Sequence, residues 1–251
     1  MDGPWTHHTI IEFRKKYTAK EELGYDGKDL DAFCGTVPML AWLAATATAQ
    51  GQPNAPMPLK MRAELEKMLR VLAKNPVTIV ASLALCEVIW QHFSADAAVD
   101  SVSLKIVTAV EQAMTQNLKD MDKEKETALF EGYSETVKYL QSVRKQLDVT
   151  KSRSEYLELL ASQKDGWSKA CPIPGSFKGP LLNVLVMNGG KECYKKVVLT
   201  EISAGGDCCG RAHVSGAIMG AAVGLSGIPL EWIQKVTKAQ EILSSCEQLF
   251  A

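Results

Sequence analysis

Apolar residues recur along this chain at spacings of three and four and hardly anywhere alternate with period two, the pattern of amphipathic helices rather than half-buried strands. Met61, Leu65, Met68 and Leu72 form one stripe, and Ile79, Leu83, Cys86, Trp90 and Phe93 resume the rhythm after a break at Asn75-Pro76. Val99, Val102, Ile106, Val110 and Ala113 make a third stripe; Leu129, Tyr133, Val137, Leu140, Val143 and Leu147 make a fourth. Each stripe needs an apolar partner surface, so the pattern predicts an all-α, compact multi-helix bundle. Breaks are expected at Gly51 to Pro58, at Cys171 to Ser176, at Gly189-Gly190 and at Gly227-Ile228-Pro229. Ala212, Gly216, Gly220 and Gly224 repeat every four residues and predict a buried central helix with one nearly bare face. The run from Ala212 to Pro229 is read as the one membrane-like stretch, but it falls short of the ~20 residues a spanning helix needs and carries His213 and Ser215. No membrane span is expected.

Composition narrows the classes. The chain has 251 residues, 46% of them hydrophobic, enough for a single domain over 1–251 and too apolar for a disordered chain or a disulfide scaffold. Lys plus Arg number 28 against 29 Asp plus Glu, so no global basic field exists to hold nucleic acid. The six basic and six acidic residues between Lys119 and Lys145 interleave, as on a solvated helix face. Seven cysteines without a CxxC pair suggest an intracellular, reducing compartment, cytoplasm or organelle lumen. The opening MDGPWTHHTI has no secretory pattern.

Chemistry concentrates between Ser203 and Gly224. Gly205-Gly206 permits unusual backbone angles, and Asp207 stands where an N-cap carboxylate accepts bonds from the first free N–H groups of the next helix. A helix N-terminus also attracts anions such as phosphate. Elsewhere, Asp26, Asp29 and Asp31 form the densest acidic cluster, and Asp29-Leu30-Asp31 has a metal-ligand spacing. The simpler reading is that these carboxylates start a helix carrying Phe33, Val37 and Leu40 and favour its dipole. His7, His8 and His92 lack spaced Cys or carboxylate partners and read as surface or packed histidines; His213, one turn into the helix after Asp207, has no orienting partner. Cys208 and Cys209 raise a reactive-thiol reading, with Arg211 and the helix N-terminus lowering a thiol pKa, against a packing role that is preferred for Cys209.

The segment SAGGDCCGRAHVSGAIMGAAVGLSGIPLEW, Ser203 to Trp232, resembles the C-terminal signature of the ADP-ribosylglycohydrolase family, in its J-crystallin-like branch. Catalytic branches read Gly-Gly-Asp-Thr-Asp-Thr there, and the crystallin-like branch reads Gly-Gly-Asp-Asn-Cys-x-Arg. Gly205, Gly206, Asp207, Cys209 and Arg211 match the latter, and Cys208 replaces its Asn. Gly3-Pro4-Trp5, GKDLDAFCGTVPMLAWLA from Gly27, NPVTIVASLALCEVIW from Asn75 and PIPGSFKGPLLNVLV from Pro172 support the same branch. The resemblance implies a compact all-α fold. In active members it implies two magnesium ions, held by a Thr-Asp-Asp cluster and the Asp-x-Asp-Thr loop, in a cleft that hydrolyses ADP-ribose linkages.

Against that pattern, Gly3-Pro4-Trp5 corresponds to a point well inside the family domain, so the expectation is a C-terminal portion lacking the N-terminal part. No Thr-Asp-Asp triplet occurs, and Cys209 and Gly210 replace the second Asp and the Thr. A thiolate is a poor magnesium ligand and glycine offers no side-chain ligand. The expectation is therefore no cofactor, or magnesium only if the ancestral site is retained. Asp207 is then a vestigial metal ligand, with Gly205 and Gly206 as an ADP-ribose or phosphate loop. Three functions follow: a non-catalytic structural or interaction subunit, its exposed helix face covered by a protein partner or a second copy; a magnesium-dependent hydrolase or binder of ADP-ribosyl groups, its missing ligands supplied by Asp29 and Asp31, by another chain or by residues upstream; or an abundant crystallin-like structural protein.

Overall fold

A computed structural model describes residues 7–49, 56–94, 104–187 and 192–250. The all-α expectation holds: twelve α-helices and no strand occur among the described residues. They are α1 (His8–Ala19), α2 (Asp31–Ala49), α3 (Leu59–Leu72), α4 (Pro76–Ser94), α5 (Leu104–Asp120) and α6 (Thr127–Leu147). Then come α7 (Arg153–Ser162), α8 (Gly175–Val186), α9 (Cys193–Ala204), α10 (Cys208–Val223), α11 (Leu230–Ile233) and α12 (Ala239–Phe250).

The central helix is α4, not α10 as the small-residue stripe suggested. Apolar positions surround α4 on every side: Val80, Ala84, Leu85 and Val88 are 0% exposed, alongside the predicted Ile79, Leu83, Cys86 and Trp90. A helix apolar all round belongs in a core, and α2, α3, α5, α6 and α10 all pack on this one. Asn75 starts it, its Oδ1 accepting from Val77 N at 3.1 Å and Thr78 N at 3.4 Å, with Pro76 pre-set for the first turn. α6 crosses close over that start at Gly132, where a Cβ would lie 2.7 Å from Pro76 O. α4 also corrects the reading that placed the one membrane-like run after Ala212. Pro76–Phe93 is long and apolar enough to span a bilayer, but 83% of it is buried inside the fold.

The other stripes hold with small rotations. On α6, Tyr133, Val137, Leu140 and Val143 are buried as predicted. On α3 the buried pair is Leu65 and Leu69, with Met61 and Leu72 at the margin. On α5 the buried line is Val107, Val110 and Met114, so Ala113 faces outward; Val99 and Val102 fall outside the described residues. Part of the charged stretch pairs as expected, in Lys125 with Asp122 and Lys138 with Glu135, while Arg144 reaches Glu111 on α5 at 3.1 Å. The breaks at Cys171 to Ser176 and at Gly227 to Pro229 lead into α8 and α11. Most of Gly51 to Pro58, Gly189-Gly190, and Gly3-Pro4-Trp5 lie outside the described residues.

Candidate functional site

The chain enters α10 through two glycines with left-handed φ, 70° at Gly205 and 63° at Gly206. Gly206 lies against Lys169 O so closely that a side chain has no room. Asp207 N donates to that same Lys169 O at 2.8 Å, and Cys208 N to Gly206 O at 2.8 Å. Asp207 then caps α10, its Oδ1 accepting from Gly210 N at 3.1 Å, as the sequence suggested. The small-residue face of α10 receives a side chain rather than a backbone: a Cβ at Gly216 would lie 3.5 Å from Tyr194 OH, and one at Gly220 4.0 Å from the same ring.

Behind this entry lies a polar cluster that the sequence did not announce. Arg211 and Glu201 are both 0% exposed, with Nε to Oε2 at 2.9 Å. Glu201 also accepts from Tyr156 OH at 2.9 Å, Asn183 Nδ2 at 2.8 Å and Ser215 Oγ at 3.1 Å. The remaining guanidinium nitrogens donate to Lys169 O at 2.7 Å and Gly205 O at 2.6 Å. Arg211 therefore fixes the glycine loop from inside and is not available to activate a thiol. Its presence in the quoted motif was the one signal that it had a role.

In front of the entry, α2 and the 171–176 segment close a small recess with Asp207. Asp31, Cys34, Cys171, Ser176, Asp207 and Gly210 line it, and it offers about 10 Å³, room for roughly one water molecule. Asp31 opens α2, as the helix-start reading expected. It is also part of a cluster: ligand atoms of His7, Asp29 and Asp31 lie within 4.8 Å of one another, with His7 Nδ1 2.8 Å from Asp31 Oδ2. The reading that His7 lacks a carboxylate partner is thus corrected; a separate segment brings the partner. Burial raises the Asp31 carboxyl above its ordinary value, opposed by His7 and reinforced by the charges of Asp29 and Asp207. Burial, then Asp31 and Asp207, push the Cys34 thiol up to about 12, and burial and the same carboxylates raise Cys171.

The other candidates disperse. Asp26 and His8 are exposed and outside the cluster. His92 is buried on α4, its pKa lowered by burial to about 4. His213 meets Phe33 edge-on, ring centroids 6.3 Å apart. Cys209 is exposed, against the packing role preferred for it, because the α10 face carrying it lies outside the core; the neighbouring Cys208 holds its thiol above the ordinary range, which disfavours the reactive-thiol reading. Two magnesium ions need many oxygen ligands at about 2.0–2.1 Å. Around Asp207, whose Oδ1 caps α10, the loop supplies Cys208, Cys209 and Gly210, and among the described residues the recess adds only Asp31 and Ser176 as side-chain oxygen donors, too few for two such ions. These residues do not fit a two-magnesium centre.

Known proteins bear on this geometry. The chain is similar to Crystallin J1A of Tripedalia cystophora, 36% identical over 83 residues, a stretch that is 33% of this chain and 24% of the relative. The match therefore spans about a quarter of that relative's length. The sequence profile described as ADP-ribosylglycohydrolase matches residues 5–251, nearly the whole chain. With the all-α bundle and the Gly-Gly-Asp entry to α10, that match identifies the chain as a member of the ADP-ribosylglycohydrolase family.

Proposed function

We propose that this protein is a non-catalytic member of its family, acting as a structural or interaction subunit. One observation carries the reading: the recess beside Asp207 has about 10 Å³, against the ~300 Å³ or more that enclose a ligand of nucleotide size. That size supports a reading in which ADP-ribose is not held beside Asp207. The Gly205 and Gly206 loop fits this reading, since the neighbouring amides of Asp207 and Cys208 bond within the chain and Gly205 O is held by Arg211.

An interaction role draws support from the C-terminal third. Leu199 and Ile202, one turn apart on α9, are 41% and 51% exposed, and Leu225, Leu230, Val236 and Ile242 are also exposed. A contiguous exposed apolar patch marks a surface that meets another protein, and the adjacent Leu199 and Ile202 are the pair that supports one here. The likeness to a crystallin leaves an abundant structural role as a form of the same non-enzymatic reading.

Calorimetry of ADP-ribose with and without magnesium tests the proposal, alongside hydrolysis of an ADP-ribosylated peptide. No binding and no turnover are expected. Magnesium-dependent ADP-ribose binding that Asp207→Ala abolishes overturns the proposal in favour of a working hydrolase or binder.

A further inference from the structure

The recess too small for a nucleotide is the right size for an ion. We propose that the His7–Asp29–Asp31 cluster, with the recess beneath it, binds a single first-row divalent transition cation of the zinc class. Three independent features point there.

The first is a conflict at one ring nitrogen. His7 Nδ1 accepts from Thr9 N at 3.2 Å and lies 3.1 Å from Thr9 Oγ1. A backbone N–H only donates, so Nδ1 presents a lone pair. Asp31 Oδ2 stands 2.8 Å from that same atom, and an ionised carboxylate only accepts. Two lone pairs at this separation require a proton or a cation between them. A cation about 2.1 Å from each donor subtends an angle of about 84° between them, and the two donors open by about 0.6 Å to reach zinc's usual tetrahedral angle. Asp29 supplies a third donor within 4.8 Å of both.

The second feature is an orphaned hydroxyl. Ser176 is 3% exposed, its Oγ has no hydrogen-bond partner among the described residues, and it lines the recess with Asp31 and Asp207. A buried hydroxyl left unmet is destabilising. A cation, or water bound to it, gives this oxygen a partner from outside the chain.

The third feature is charge. Asp29 stands beside Asp31 and Asp207 shares its recess, so three carboxylates gather at one place, while the nearby Arg211 is committed to Glu201. A bound cation offsets that charge. Donor chemistry chooses its class: the His7 imidazole nitrogen favours zinc or cobalt over magnesium. The site differs from the family's paired-magnesium arrangement in ligands and in ion number. It stands whether or not hydrolysis survives.

The test uses the full chain, dialysed against a chelator and titrated by calorimetry with zinc, cobalt and magnesium in a non-coordinating buffer. One zinc per chain is expected, bound at least tenfold tighter than magnesium. His7→Ala and Asp31→Asn are each expected to weaken zinc at least tenfold and to abolish the cobalt visible spectrum, with helical circular dichroism unchanged. Should Asp31→Asn fail to fold, Asp29→Asn gives the same reading. His8→Ala and Cys209→Ser, both at exposed positions, should change nothing. Absence of zinc and cobalt binding overturns the proposal; so does equal loss in His8→Ala or Cys209→Ser, which marks an adventitious surface ion, and so does magnesium binding as tightly as zinc. None of these readouts involves ADP-ribose, so the proposal fails or stands separately from the non-catalytic reading.

Discussion

Two polar assemblies flank the first turn of α10, and they are built to opposite standards. Behind the helix, Glu201 and Arg211 are entirely buried and collect Tyr156, Asn183, Ser215, Lys169 O and Gly205 O; among the described residues only Asn183 Oδ1 goes without a partner there. Burial and the Glu201 charge hold the Tyr156 phenol well above its ordinary pKa, so it remains a donor. In front, Asp31, Asp207 and Ser176 share a recess in which negative charges face one another and a hydroxyl is orphaned. A polar cluster closed within the chain fixes structure. One left open points to something outside the chain, and the difference separates scaffold from site on a single helix.

The closed cluster is the easier to break, and with the largest effect. Glu201→Ala leaves the Arg211 guanidinium buried without its counter-charge, which costs roughly 3–5 kcal/mol. Urea denaturation should show the loss with circular dichroism still helical at zero denaturant. Because Arg211 also holds Gly205 O, amide exchange should quicken in the 203–208 loop before the rest of the molecule. A loss under about 1 kcal/mol would mean that the cluster does not anchor α10.

The pH dependence of stability sharpens the comparison, because the two sides of the fold tilt it in opposite directions. His92 on α4 is 6% exposed, its Nε2 has no partner among the described residues, and burial takes its pKa from 6.5 to about 4. Between those values the unfolded chain holds a proton that the folded chain does not, so stability falls as pH falls through the window. The two pKa values set the loss at no more than about 3 kcal/mol, complete near pH 4. Asp31 acts oppositely: its carboxyl is raised above 3.8, so the folded state holds the extra proton and stability falls as pH rises from there. Denaturation midpoints across pH 4 to 7 should lose their acid-side slope in His92→Leu. Persistence of the full slope in that variant assigns it to other groups.

Much of this was legible where the relevant partners sit within one helical turn. The α4 and α6 stripes, the Asp207 cap and the Asp31 helix start are all local patterns. The centre of the bundle was misplaced because bare glycines resemble a close-packed face, whereas Tyr194 covers Gly216 and Gly220 and α4 holds the middle. The α5 face slipped by one position because successive residues on a helix are only about 100° apart, and Met114 outweighs Ala113. His7 with Asp31, and Glu201 with Arg211, join separate segments of chain, and no spacing rule relates such pairs. Cys209 was misjudged because residue type sets a preference for burial while the helix face decides it.

The smallest expected effect probes the open cluster most directly. Ser176→Ala removes the orphaned Oγ and keeps the backbone of the α8 first turn, where Ser176 N bonds to Pro172 O. In metal-free protein the substitution should be neutral or should stabilise by about 1 kcal/mol, since it deletes an unmet polar atom and no hydrogen bond within the chain. Thermal denaturation in the presence of a chelator measures this. Zinc should then raise the midpoint less in Ser176→Ala than in the parent chain, because the hydroxyl no longer contributes to the ion or its water. A loss above about 1 kcal/mol in the chelated protein would show that Ser176 has a partner without any ion. The recess would then be closed like the cluster behind it, and the contrast between the two faces of α10 would disappear.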